Sequence, residues 1–158
     1  MFRPMRRVKR ELPVEEAYAL LKNNKRAAFS VNGDDGYPYS VPVNFYYDEE
    51  DNKIYFHSSF AGHKVDSIKA NDKVCFTTWD DGVKEEGDWA YYVKSCVVFG
   101  RASFVQDKEI LFDRLKKFAM KYYPTEAEVD EEIAKDGKAV QMVAIEIEHI
   151  TAKRIHEK

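Results

Sequence analysis

Between Tyr37 and Tyr47 the odd positions are all large and apolar or aromatic, while Pro38, Ser40, Pro42 and Asn44 occupy even ones. A period of two puts alternate side chains on opposite faces, so this segment predicts a strand with one face in a core. Backbone N–H groups at i and i+2 point to the same side of a strand. The two prolines therefore strip donors from a single edge, which places the strand at a sheet edge or a split. Such an edge either stands as a protected border or offers the polar groups of Ser40 and Asn44 to the rim of a flat ligand.

Similar patterning predicts further strands at Arg26 to Asn32, Lys53 to Ser58, Val74 to Trp79 and Ala90 to Val105, with a closing strand through Val143, Ile145 and Ile147. The turn-forming Gly33-Asp34-Asp35-Gly36 joins the first of these to the proline-bearing strand as a hairpin. Gly100 interrupts a strand interior, as at a bulge or a close backbone approach. Helices are expected over residues 13 to 23, where Val14, Ala17, Tyr18 and Leu21 recur at helical spacing, and from Gly62 to about Asn71. Two more follow: one behind the N-cap Asp107, with a stripe from Ile110 to Tyr122, and one behind the capping box Thr125–Glu128, reaching about Lys135. About six strands with hairpin connections and no βαβ alternation predict a mainly β fold, an antiparallel Greek-key barrel with peripheral helices.

The chain of 158 residues suits one domain, residues 1–158, led by a basic arm over residues 1–12. No apolar run follows that arm, so a secretion signal is not expected. A formal net charge of −3 argues against a nucleic-acid partner, and no segment is apolar enough for a membrane span. Cys75 and Cys96 lie in apolar strand-like runs and read as buried thiols in a reducing, cytoplasmic setting. The four histidines have no metal spacing, and neither a glycine-rich phosphate fingerprint nor a nucleophile elbow occurs.

The chemistry concentrates in Tyr55 to Lys64, an apolar strand ending in hydroxyls that runs through Gly62 into His63 and Lys64. Unpaired N–H groups at a helix start favour anions, so cations and hydroxyls there predict a phosphate cradle; the plain alternative is a turn capped by Ser58 or Ser59.

The ordered set Gly36-Tyr37-Pro38, Val41-Pro42-Val43-Asn44-Phe45, Ile54-Tyr55-Phe56-His57-Ser58, Gly62-His63-Lys64, Asn71 to Phe76 and Ser95 to Ala102 resembles the pyridoxamine 5'-phosphate oxidase-like flavin-binding split barrels, in particular the nitroimidazole-resistance branch. The resemblance implies a split-barrel homodimer with flavin mononucleotide (FMN) in a groove between subunits. It lays Val41, Pro42, Val43 and Asn44 along the flavin ring, sets His57 and Ser58 at the strand end beside it, and gives the phosphate to His63 and Lys64. Ser95 would reach the cofactor from the second subunit. Position 63 carries histidine where the founding oxidases carry arginine. No tryptophan precedes Arg154-Ile155-His156, so vitamin B6 oxidation is not expected. The implied activity is a flavin-dependent reduction of small electron-poor compounds such as nitroaromatics, with His57 as proton donor. A non-catalytic flavin binder, or a haem protein using His149 or His156, are the alternatives.

Overall fold

The computed structural model describes all 158 residues. Nine antiparallel strands form one sheet: β1 (Glu11–Leu12), β2 (Arg26–Asn32), β3 (Pro38–Asn44), β4 (Tyr46–Asp48), β5 (Lys53–Ser58), β6 (Lys73–Trp79), β7 (Val83–Lys84), β8 (Tyr91–Phe104) and β9 (Gln141–His156). The helices are α1 (Val14–Asn23), α2 (His63–Ala70), α3 (Lys108–Met120) and α4 (Glu126–Asp136). Along the sheet the order is β3-β2-β6-β8-β9-β5-β4, with β1 added to β9 and β7 to β8.

The two ends of that order, β3 and β4, are separated in sequence by Phe45 alone. One residue spans only about 3.3–3.6 Å, so the sheet must curl until its ends meet. The barrel is thus closed by a covalent link rather than by a ladder, and β3 has β2 as its one strand partner. That is the split which the prolines predicted. Pairing with β2 runs unbroken from Pro38 to Asn44, because the donors that proline lacks are those of the unpartnered edge. Phe45 itself is fully buried, and its N–H donates to Tyr122 Oη at 2.8 Å.

Twenty buried side chains fill the barrel, with Phe29, Phe45, Phe56 and Phe76 the largest, and α1 plugs one end through Ala17, Leu20 and Leu21. A second, smaller cluster lies outside, where Leu115 and Phe118 of α3 cover Tyr55, Met142 and Ala144. Alternation explains both. Ile54 and Phe56 point into the barrel while Tyr55 points out under α3, so β5 reads as a continuous apolar run because both of its faces are covered. α3 is held in place by Arg114, whose Nε lies 2.9 Å from the buried Asp48 and whose Nη2 lies 3.2 Å from Asp51.

The strand count exceeds the expected six because β1, β4 and β7 are too short to leave a periodic signature. β7 lies within an acidic stretch, Asp80 to Asp88, whose turn-forming glycines and charges carry no strand pattern. The basic amino-terminal arm is mostly exposed but touches the sheet at two points: Phe2 stacks on His149 at 4.6 Å, and Glu11–Leu12 pair with β9. The bulge predicted at Gly100 is present as a register shift between Phe99 and Gly100. A Cβ there would stand 2.2 Å from the Glu146 carbonyl oxygen. Asp107 caps α3 by accepting from the Glu109 and Ile110 N–H groups, and Thr125 caps α4. Cys96 is buried, with its thiol pushed up to about 12 by that burial, whereas Cys75 is only half-buried. No helix is long and apolar enough to cross a membrane.

Candidate functional site

At the split, an open cleft of about 400 Å³ is lined by Arg26, Pro42, Val43, Asn44, His57 and Lys64. Three elements meet there. The β2–β3 hairpin sets Arg26 directly opposite Asn44, β5 delivers His57 near its end, and the first turn of α2 delivers Lys64.

The connection from β5 to α2 turns on Gly62, whose φ of 131° is a conformation L side chains rarely adopt. Gly62 is also the N-cap of α2, and no side chain bonds to the helix start. Ser59 donates instead to the Ala61 carbonyl at 2.7 Å. Ser58 is buried, with its hydroxyl lacking any hydrogen-bond partner. Neither serine caps, so the plain capping alternative fails and the first N–H groups of α2 remain open to an anion.

Lys64 is half-buried, its Nζ 5.6 Å from the Phe56 ring, and desolvation lowers its pKa. Neither Lys64 nor Arg26 forms an ion pair. Two unpaired cations beside an uncapped helix start are arranged for an anionic group rather than for each other. His57 stands edge-on to Phe118, ring centroids 5.2 Å apart, and remains open to solvent. Desolvation by its neighbours, followed by the charge of Lys64, lowers its pKa, so the neutral imidazole is favoured.

Of the residues singled out from the sequence, Pro42, Val43, Asn44, His57 and Lys64 converge on this cleft. Val41 does not line it, because its side chain packs against the barrel core. Ser58 does not line it: buried, it falls on the barrel-side face of β5 with Ile54 and Phe56, opposite to His57. His63 is turned away: its ring stacks on Tyr39 at 4.1 Å and its Nε2 lies 3.7 Å from Asp34. Ser95 sits on β8 between Trp79 of β6 and Lys153 of β9, outside the cleft of its own chain. Arg26 was missed by sequence reasoning, although counting outward from the Gly33–Gly36 turn puts it opposite Asn44. Tyr122 and Lys121 were missed as well. Tyr122 reaches the split from the end of α3, and Lys121 Nζ donates to the Phe45 carbonyl at 3.1 Å. No local pattern marks that long-range tie.

The residues present fit a flat cofactor with a phosphate tail. One wall is a strand edge with proline in place of a donor, and the two cations, unpaired, stand beside an uncapped helix start.

The family model for pyridoxamine 5'-phosphate oxidase matches residues 13–154 of the chain. Similar solved structures include a candidate 5-nitroimidazole antibiotic resistance protein from Bacteroides thetaiotaomicron, 19% identical, covering 92% of this chain and 87% of that one, with a TM-score of 0.75. An FAD-binding protein from Mesorhizobium loti is 22% identical, covering 92% and 97% of the two chains, with a TM-score of 0.66. A flavocytochrome from Azotobacter vinelandii is 20% identical, covering 95% and 71%, with a TM-score of 0.71. At these identities the likeness is one of fold, the split antiparallel barrel described above. No curated protein sequence matches the chain significantly.

Proposed function

We propose that this chain, which belongs to the pyridoxamine 5'-phosphate oxidase family, binds FMN in the cleft between β3, β5 and α2 and uses it to reduce small electron-poor compounds such as nitroaromatics. The observation that carries the reading is the meeting of two unpaired cations, Arg26 and Lys64, with the uncapped start of α2 beside a proline-bearing strand edge. The names of the flavin-binding relatives point the same way. When bound, the flavin supplies the electron transfer that no side chain here offers.

The protein's own part is placement and proton handling. Pro42, Val43 and Asn44 form the edge along which the ring lies, and Lys64 and Arg26 hold the phosphate. His63, drawn to Asp34, contributes less than its neighbour. His57 is the proton carrier: neutral near pH 7 because its pKa is lowered, and accessible to solvent, it relays a proton to a group bound beside it.

The working unit in this reading is a homodimer. The hairpin end formed by β6, β7 and the start of β8 leaves Trp79, Val83, Trp89 and Tyr91 exposed, an apolar surface of the kind that marks an interface. Ser95 stands opposite Trp79 on that same hairpin, which gives it access to a partner's cleft when two copies pack there. An absorbance spectrum of the purified protein tests the cofactor. A flavin band near about 450 nm supports the reading, and a haem band near about 400 nm in its place refutes it. Titration with FMN, FAD and riboflavin tests which flavin is preferred, and light scattering of the flavin-loaded protein tests the dimer. A monomer with flavin still bound refutes the shared groove.

A further inference from the structure

α3 and α4 do not seal the outer face of the sheet completely. Beside the end of β5 they leave a recess of about 150 Å³, walled by Leu115, Phe118 and Ala119 of α3, Ile133 of α4 and Val140 just before β9. One residue borders both this recess and the cation-lined cleft, and it is His57. The imidazole is a partition with a different chemistry on each side. On the cleft side stand Lys64 and Arg26; on the recess side, apart from His57 itself, the ionisable groups are Glu132, Asp136 and the Tyr123 phenol. Neither carboxylate is engaged in an ion pair, since Lys116, the cation that reaches α4, is bound to Glu126 and Asp130.

We infer that this recess is the substrate pocket of the reaction proposed above, and that it takes a compact one-ring aromatic, neutral or cationic, while rejecting an anionic one. Its substrate role rests on the flavin reading of the neighbouring cleft; its ability to bind such a ring does not. Size sets the first limit. A cavity of about 150 Å³ lined by leucine, isoleucine and phenylalanine holds a benzene-sized molecule, so a single ring fills the space between Phe118 and Ile133 and a fused bicyclic system overfills it. Charge sets the second. Glu132 and Asp136 repel a carboxylate and attract an ammonium, and no cation lines the recess to offset them. Position gives the pocket its use, because an occupant lies against the same imidazole that faces the cleft.

The test uses the full-length protein without added flavin, labelled at isoleucine and leucine methyl groups and at histidine for NMR. Three probes share one ring and differ in charge: benzylamine, benzyl alcohol and benzoate. Benzylamine and benzyl alcohol are expected to shift the Ile133, Leu115 and His57 signals saturably, with benzylamine bound several-fold more tightly and benzoate leaving the signals unmoved. Ala119→Leu, which fills the recess, should abolish both titrations. Because Ala119 is a core position, the surface double variant Glu132→Gln with Asp136→Asn gives an independent check and should erase the preference for benzylamine. Silent signals with all three probes overturn the inference, and so does benzoate binding as well as benzylamine. Flavin titration of the same sample keeps the two readings apart. Flavin binding with silent probes overturns the pocket alone, while probe binding without flavin leaves a pocket selective for size and charge and overturns the cofactor reading together with the substrate role that rests on it.

Discussion

If Lys64 and the start of α2 hold a phosphate, replacing Lys64 by alanine must cost affinity for that phosphate and for nothing else on the ligand. A hydrogen bond to a charged group contributes about 1.5–3 kcal/mol net, which corresponds to roughly ten- to a hundredfold in Kd. Half-burial and the absence of a competing carboxylate place Lys64 well within that range, since nothing in the protein satisfies it when the ligand is gone. Arg26 and the helix N–H groups remain in the variant, so binding is weakened rather than abolished. Fluorescence titration of FMN and riboflavin against both proteins separates the phosphate from the ring. The wild type should prefer FMN, and Lys64→Ala should lose most of that preference while binding riboflavin as the wild type does. Raising the salt concentration should weaken FMN binding to the wild type more than to the variant, because an exposed ion pair is screened over a Debye length of about 8–10 Å. Equal weakening of both flavins by Lys64→Ala would mean that the lysine supports the fold or the ring, and the phosphate assignment would fall.

Three further outcomes are expected. Lys64→Ala should move the His57 pKa, followed by NMR, up toward its ordinary value of 6.5 by removing a nearby positive charge; as the folded-state pKa lies below that value, acidification from above 6.5 down through it should destabilise the free wild-type protein, and a His57 pKa above 6.5 would contradict the geometry. Ser58→Ala deletes a buried hydroxyl without a partner, so the free protein should melt about 2–4 °C higher; a lower melting temperature would show that the hydroxyl is satisfied within the protein. Gly100→Ala drives a methyl group to within 2.2 Å of the Glu146 carbonyl oxygen; the β8–β9 ladder must shift, at a cost of about 3 kcal/mol or more, and thermal denaturation should fall by roughly 6–12 °C.

Much of this architecture was legible because each signal was local. The alternation from Tyr37 to Tyr47 marked β3 as a strand, Pro38 and Pro42 placed it at an edge or split, and Asp107 and Thr125 marked the helix starts they cap. What escaped was short or non-local. β1, β4 and β7 have only two or three residues each, fewer than a periodic pattern needs, and β9 runs on to His156, beyond the last clear alternation at Ile147. The continuation is amphipathic in a shifted register, because the bulge at Gly100 pairs Phe99 with His149 and Gly100 with Ile147, leaving Glu148 unpaired. A one-residue offset exchanges the two faces of a strand, so a simple period of two loses the signal at that point.

The same distinction between local and non-local governs the cleft. Lys64, His57 and the Pro42 to Asn44 strand were found because each carries an oddity in its own segment: a cation at a helix start, an imidazole in an apolar strand, a proline where a ladder donor belongs. His63 carries the same local oddity as Lys64 and yet faces the other way, because consecutive residues at a helix start diverge by about 100° around the axis and only one of the two can face the cleft. Local reading cannot choose between them. The choice is made by Asp34 in the β2–β3 turn, which takes up one member of the pair, and by Phe56 in β5, over which the other extends. Arg26 is the converse case: ordinary in its own segment, it reaches the cleft only through the hairpin register that sets it across from Asn44. A residue's chemistry was therefore readable from the sequence, whereas its direction depended on partners far away in the chain.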